Sequence, residues 1–261
     1  MISIPEELQS ASQEVFETCY RGRQSRWHHM AWMRMSKVLF ALRILDRCNV
    51  KPEGYSVFDY GFGAGTLFHY LPKSCKLAGV EQDPVTVGEV EALLRSKGYK
   101  DLDLQTIDIA TWSSHPLFRE SAYDLIVCSH VLEHLPDPVA LLTRFRSCLK
   151  PGGHILALLP INEIAENPHH LWKCNRPLIL EWAKAAGLQL TYYEENSPWS
   201  YWLQPLLVRN SYPSRLLWQA FSFGMGAFAT ALGHRWLYKT SRPFSVATRS
   251  KPTQAGFLLH I

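Results

Sequence analysis

At 261 residues and 47% hydrophobic composition, the chain has room for one large α/β domain with a core of its own and too little for two full domains. Its cysteines, at positions 19, 48, 75, 128, 148 and 174, form no CxxC pair and no close Cys/His cluster, which excludes a cysteine-built metal framework and points to thiols in a reducing compartment. The net charge of +4 is unevenly spread: residues 196–261 contain no Asp or Glu but carry Arg209, Arg215, Arg235, Lys239, Arg242, Arg249 and Lys251, and a second carboxylate-free run holds Arg21, Arg23, Arg26, Arg34, Lys37 and Arg43.

Such charge suits nucleic acid, anionic lipid head groups, an acidic substrate or a plain solvated face. The amino terminus shows no basic stretch followed by an apolar run, so a secretory signal is not expected and a cytoplasmic location follows.

Residues 23–50 contain no proline or glycine, and Trp32, Met35, Leu39 and Leu42 recur every three or four positions, which predicts a helix. Lys51-Pro52-Glu53-Gly54 ends it, and residues 1–50 are read as a helical cover. Residues 55–60, rich in β-branched and aromatic side chains, stop at a glycine cluster as a buried strand would. Strands and helices then alternate, with strands predicted over 76–81, 103–107, 123–129, 154–159 and 188–193 and helices over 84–97, 137–150 and 177–186. Pro84, Pro138 and Pro177 stand in the first turns of these helices, and Gly98, Gly152 and Gly187 lie just past their ends. Alternation with crossover helices predicts a Rossmann-like, doubly wound, mostly parallel sheet.

Three features of this alternation carry chemistry. The cluster Asp59-Tyr60-Gly61-Phe62-Gly63-Ala64-Gly65 sits between the first strand and the next helix, where glycines let the backbone turn and approach a ligand at the carboxyl edge of the sheet. Taken alone it is equally an ordinary tight turn. Thr66 stands where a dinucleotide fingerprint has its third glycine, which weakens a nicotinamide-dinucleotide reading, and no lysine follows for a P-loop. Glu81, ending the second strand, is placed to accept two hydrogen bonds from a ribose diol, whereas Asp83-Pro84 reads as a helix cap. Asp108, just after the third strand, is placed to accept from an amino group of a base.

Together with Ser129-His130-Val131-Leu132-Glu133-His134-Leu135-Pro136-Asp137-Pro138 and Leu149-Lys150-Pro151-Gly152-Gly153, these elements resemble the class I S-adenosylmethionine-dependent methyltransferases. The similarity is strongest to the subgroup containing the ubiquinone and menaquinone biosynthesis methyltransferases, and it covers residues 55–193. It implies a seven-stranded sheet and S-adenosylmethionine as cofactor. By the same resemblance, Asp59, Gly61, Phe62, Gly63 and Gly65 wrap the methionine part of the cofactor, Phe62 standing where relatives often have cysteine. Glu81 holds the ribose and Gln82 lies beside the adenine, whose edge Asp108 and the Ile109 backbone read. Ser129 and His130 border the transferable methyl. Methyl transfer from a sulfonium is an in-line displacement that needs alignment, exclusion of water and sometimes removal of a proton, so no metal is expected. Glu133 and His134 are the foremost candidates for catalysis, equally readable as the start of the next helix. His169 and His170 follow, and His28 and His29 on the cover are weaker candidates.

Residues 216–233 carry no formal charge over eighteen positions, the lower limit for a membrane span. Topology opposes spanning, because residues 243–249 are the expected last strand and must return to the sheet. Trp218, Phe221, Met225, Phe228 and Leu232 form one stripe, and Gln219, Ser222, Gly226 and Thr230 another, so an amphipathic lid inserted at about residues 196–241 is expected. The methyltransferase domain is thus read as residues 51–261. The partners expected are a small apolar or lipid-linked acceptor, methylated on oxygen, and a membrane surface touched by the basic aromatic tail. A nucleic-acid substrate is the rival suggested by that tail, but no separate recognition domain and no Asn/Asp-Pro-Pro-aromatic motif accompanies it. A non-catalytic binding protein is opposed by the intact glycine loop with Glu81 and Asp108.

Overall fold

The computed structural model describes residues 32–162, 169–196 and 251–261, together with positions 220, 221, 223–225, 227, 228 and 231 of a helical segment. Five strands run parallel: β1 (Ser56–Tyr60), β2 (Lys76–Glu81), β3 (Leu102–Thr106), β4 (Tyr123–Ser129) and β5 (Leu149–Pro160). With β6 (Gln189–Asn196) and β7 (Gln254–His260) they make a seven-stranded sheet of order β3-β2-β1-β4-β5-β7-β6, in which β7 is antiparallel to both neighbours. Helix α1 (Trp32–Arg47) precedes β1, α2 (Pro84–Ser96) joins β2 to β3, α3 (Pro138–Cys148) joins β4 to β5, and α4 (Arg176–Ala185) joins β5 to β6.

The crossover helices start where their first residues demand. Asp83, Asp137 and Asn175 each accept a hydrogen bond from a backbone N–H of the first turn, that of Val85, Ala140 and Leu178 respectively, and each is followed within two residues by a proline that donates no N–H. Thr86 also donates its hydroxyl to Asp83 at 2.7 Å, so the expected cap role of Asp83 is its structural role.

The central strands read as continuous apolar runs because both faces of the sheet are covered. Val57, Leu125, Val127, Leu156 and Leu258 join one core with Met35, Phe40 and Ile44 of α1 and Val90 and Leu94 of α2. Phe58, Ile126, Ile155, Phe257 and Leu259 point the other way, into a core with Phe145 of α3 and Trp182 of α4. α1 closes tightly on β7, since a side chain at Gly256 would run into Ile44 and Leu158. Arg43 of α1 adds a half-buried ion pair with Glu194 of β6 at 2.8 Å.

One expectation is corrected here. The sheet's last strand is β7, and residues 243–249 lie outside the described residues. β7 is an interior strand between β5 and β6, so it requires apolar residues on both faces, which Ala255, Phe257, Leu258 and Leu259 supply with at most 1% exposure. Residues 1–31, most of the expected lid, His28 and His29 also lie outside the described residues. Within the lid, Met225 packs against the α1-side core, while Phe223 and Phe228 are 38% and 47% exposed. No helix among the described residues is long and apolar enough to cross a membrane.

Candidate active site

Strand order reverses between β1 and β4, since the chain builds outward from β1 through β2 to β3 and then returns to β1's other side. Loops leaving the carboxyl ends of β1 and β4 diverge at such a point and leave a crevice. Asp59–Gly65 and Ser129–His134 therefore border one cleft although they lie far apart in sequence.

Gly61, Gly63 and Gly65 have φ of 75°, 54° and 63°, in the left-handed region that a Cβ disfavours. Their surroundings differ. A Cβ on Gly61 would sit 2.8 Å from Val131 Cγ2 and one on Gly65 2.5 Å from Val90 Cγ1, whereas one on Gly63 would meet no atom within 4 Å. Gly63 thus borders open space, with its amide held by the protein: its N–H donates to Glu81 Oε2 at 2.8 Å, and the N–H of Gln82 donates to Glu81 Oε1 at 2.8 Å. Glu81 ties the end of β2 to the glycine loop, leaving lone pairs on both oxygens for a diol. Burial raises its carboxyl above the usual range, and the two amides work against that rise. Asp59, only 4% exposed, is pushed up to about 8 by burial and then by the charge of Glu81.

Phe62 turns its ring away, packing against Phe68 at 5.6 Å and over Gly79, where a Cβ would lie 2.7 Å from Phe62 Cδ1. Phe62 therefore offers the cleft its backbone and props the loop from beneath. Asp108 caps the 3-10 turn Ile109–Ser114 through the N–H of Ala110 at 2.9 Å and is exposed at the crevice end of β3, with Ile109 beside it. The donor set fits S-adenosylmethionine: open space over Gly63 for the methionine part, acceptors at Glu81 for the ribose, and an exposed carboxylate at Asp108 for the base.

At the end of β4, His130 adopts φ of 56° and its backbone N–H donates to Leu158 O at 2.8 Å. A left-handed non-glycine residue stores strain of a kind that clusters at functional sites. The 3-10 turn Leu132–His134 follows and buries Glu133 completely. His130 Nδ1 approaches Glu133 Oε1 to 3.4 Å and His134 Nε2 to 3.9 Å, yet neither Glu133 oxygen, nor His130 Nε2, has a hydrogen-bond partner among the described residues. Burial opposes charge on Glu133, but the contact from His130 Nδ1, and after it the fields of His130 and His134, outweigh burial and hold the carboxyl below the usual range. Burial and then the Lys37 ammonium push His130 down to about 4, so its ring is neutral at pH 7.

The segment after β5 is strapped over this turn. Leu171 N–H donates to Glu133 O at 2.8 Å, Trp172 Nε1 to Leu135 O at 2.8 Å, and His134 Nδ1 lies 2.9 Å from His169 O. A carbonyl only accepts, so His134 Nδ1 donates in this contact and Nε2 is left facing Glu133. The rings of His134 and His170 meet edge to face at 4.7 Å. Of the two downstream histidines, His170 thus joins the site by its side chain and His169 by its backbone. Glu133, His134 and His170 bring one ligand atom each within 4.8 Å of one another, a spacing open to a cation.

Lys37 and Arg34 are the residues that sequence reading did not assign to the site. They enter from α1, where Arg34 reaches the field of Glu81 and Lys37 that of Glu133. Burial lowers Lys37 to about 8, with Glu133 opposing the shift and Arg34 adding to it. The available signal is a pair of cations three residues apart in the otherwise largely apolar first part of α1, residues 32–42, which holds no carboxylate to pair them.

Sheet order, glycine loop and the acid at the end of β2 together define the class I S-adenosylmethionine-dependent methyltransferase fold. The family model for the methyltransferase domain matches residues 27–221, and the chain belongs to that family. Over 105 residues it is 31% identical to a ubiquinone biosynthesis O-methyltransferase of Aliivibrio fischeri, a match covering 39% of this chain and 42% of that enzyme. The chain thus spans less than half the length of the curated relatives it matches. Among solved structures, it resembles a putative sarcosine dimethylglycine methyltransferase from Galdieria sulphuraria, with TM-score 0.57, 16% identity and coverage of 87% of this chain and 85% of that one. It also resembles coclaurine N-methyltransferase bound to N-methylheliamine and SAH, with TM-score 0.58, 12% identity and coverage of 100% and 90%. At such identities these two likenesses establish the fold alone.

Proposed function

We propose that the chain transfers a methyl group from S-adenosylmethionine to a hydroxyl oxygen of a small apolar or lipid-linked acceptor. The observation that carries this reading is Glu133: a fully buried carboxylate one turn past the end of β4, whose Oε2 has no hydrogen-bond partner among the described residues and whose Oε1 meets His130 Nδ1 at 3.4 Å and His134 Nε2 at 3.9 Å. Leaving such a group without a donor is costly, so it is matched to a ligand that brings one. A hydroxyl does so without adding positive charge beside Lys37, as a protonated amine would. The O-methyltransferase relatives support oxygen as the target.

In this reading Asp59, the Gly61 and Gly63 backbone, Glu81 and Gln82 hold the cofactor, with Asp108 and Ile109 at its adenine and Ser129 and His130 at its methyl end. S-adenosylmethionine supplies an electrophilic methyl on a sulfonium. Glu133 orients the acceptor hydroxyl and receives its proton, while His134, fixed by the His169 carbonyl, positions Glu133 and helps His170 close the cleft to water. Exposed Phe223 and Phe228, on a segment flanked by the carboxylate-free basic tail, support peripheral contact with an anionic membrane surface on the cytoplasmic side.

The test is to incubate the protein with methyl-labelled S-adenosylmethionine and matched phenols, aliphatic alcohols and amines, single compounds and lipid extracts, and to locate the label by mass spectrometry. Label on oxygen is expected. Label found only on nitrogen overturns the oxygen assignment and leaves the fold assignment standing.

A further inference from the structure

Two imidazoles and a carboxylate meet between the turn after β4 and the segment after β5. Glu133, His134 and His170 each offer one ligand atom, and these atoms lie within 4.8 Å of one another. Glu133 Oε1 and His134 Nε2 are 3.9 Å apart, and the rings of His134 and His170 meet edge to face at 4.7 Å. A tetrahedral ion with bonds of about 2.0–2.1 Å holds its ligand atoms about 3.4 Å apart, so small side-chain rotations close the set on an ion. The surroundings of each ligand agree. The His169 carbonyl takes the N–H of His134 Nδ1 at 2.9 Å, the kind of contact by which a metal-bound histidine aims its other nitrogen at the metal. His130 Nδ1, 3.4 Å from Glu133 Oε1, stands outside the set as the neighbour that steadies a ligating carboxylate. The backbone around His170 is fixed to the same turn, since Leu171 N–H donates to Glu133 O and Trp172 Nε1 to Leu135 O, both at 2.8 Å. Glu133 is fully buried, and a buried carboxylate stays charged when a partner or a metal compensates it.

We propose that Glu133, His134 and His170 bind one divalent transition-metal ion at the acceptor end of the cleft. Two imidazole nitrogens and one carboxylate suit zinc, cobalt or manganese, whereas magnesium and calcium take oxygen ligands. Three protein ligands leave a coordination position open, as catalytic sites do and structural ones do not. His134 and His170 are half-buried, which gives an ion a way in to the buried carboxylate. The ion takes Glu133 Oε1, the oxygen beside His134 Nε2, and leaves Oε2 for the acceptor hydroxyl, so the site goes beyond the hydroxyl-acceptor reading without depending on it. The field of Lys37 at Glu133 opposes any added positive charge. A protonated amine offers a single hydrogen bond against that cost, whereas an ion offers three coordination bonds. Methyl transfer from a sulfonium needs no metal, so the ion serves as a template that orients the acceptor.

The test uses the full chain, stripped with a chelator and dialysed, and titrates zinc chloride by calorimetry and cobalt chloride by visible absorption, with no acceptor present. Wild type is expected to bind one zinc ion at this site, and cobalt is expected to show the intense visible bands of an ion with fewer than six ligands. His134→Ala and His170→Ala should each weaken zinc at least about tenfold and lose those bands. His170→Ala should also keep the metal-free melting temperature and the S-adenosylhomocysteine affinity of wild type, while losing the rise in melting temperature that zinc gives wild type. That pairing separates ligation from folding. No zinc binding by wild type overturns the proposal, and so does zinc binding unchanged in both variants, which marks surface histidines instead. Magnesium that displaces cobalt at equal concentration overturns the imidazole ligand set. Since no acceptor enters the experiment, failure of the metal site leaves the hydroxyl-acceptor reading standing, and methyl label found only on nitrogen leaves the metal site standing.

Discussion

Substituting alanine at Gly63 separates the loop's role in the fold from its role in binding. At φ of 54° an alanine is strained by about 1–2 kcal/mol, and that is the whole structural cost, because its Cβ would meet nothing within 4 Å. Gly61→Ala carries similar strain at φ of 75° and must also displace Val131, 2.8 Å from the new methyl, adding about 1–3 kcal/mol of overpacking. Thermal melts of the empty proteins should therefore rank wild type above Gly63→Ala, and Gly63→Ala above Gly61→Ala. Saturating S-adenosylhomocysteine should then raise the wild-type melting temperature, since a ligand at about a hundred times its Kd adds about 2.7 kcal/mol. Gly63→Ala should show almost none of that rise, its methyl standing in the open space assigned to the cofactor, and calorimetry should find affinity down at least about tenfold. If Gly63→Ala is stabilised by the ligand as strongly as wild type, the space beside Gly63 does not belong to the cofactor and the placement of the methionine part fails.

Glu81→Ala removes the acceptor of the Gly63 and Gln82 amides as well as the ribose acceptor; cofactor affinity should fall by about 1–3 kcal/mol with the fold kept, and unchanged affinity in a calorimetric titration would refute the ribose role. Asp59 is held at about 8 in the empty protein, above its unfolded value of about 3.9, so its contribution to stability should decline as pH rises between those values and level off above about 8. Asp59→Asn should therefore raise the melting temperature at pH 8, flatten its slope from pH 4 to 8, and weaken binding of the cationic cofactor; an unchanged slope would show that Asp59 ionises freely. Replacing exposed Phe223 and Phe228 with serine should leave melting and cofactor affinity intact while reducing flotation with anionic vesicles at low salt. Equal flotation of variant and wild type would remove the membrane contact, and loss of cofactor binding would instead place both rings in the domain's structure.

How much of this was legible in the sequence depended on range. The six strands of common direction, β1 to β6, and the three crossover helices follow from local patterns: apolar runs of strand length, prolines in first turns, glycines at ends. The residues proposed to hold the cofactor are equally local, because Asp59–Gly65, Glu81 and Asp108 each sit at the end of a strand, and a doubly wound sheet gathers such ends along one edge. Tertiary structure alone decided the rest. β7 was misplaced because an interior strand is defined by having neighbours on both sides, a property residues 254–260 acquire only between β5 and β6. Glu133, His134 and His170 are legible as candidates from their places after β4 and β5, but that His134 meets both Glu133 and His170, and that α1 brings Lys37 into the field of Glu133, comes from packing that their spacing in the chain does not announce. Local hydrogen bonding and apolar periodicity are written in short windows of sequence, whereas the field around a buried carboxylate is set by whatever the packing of distant helices brings beside it.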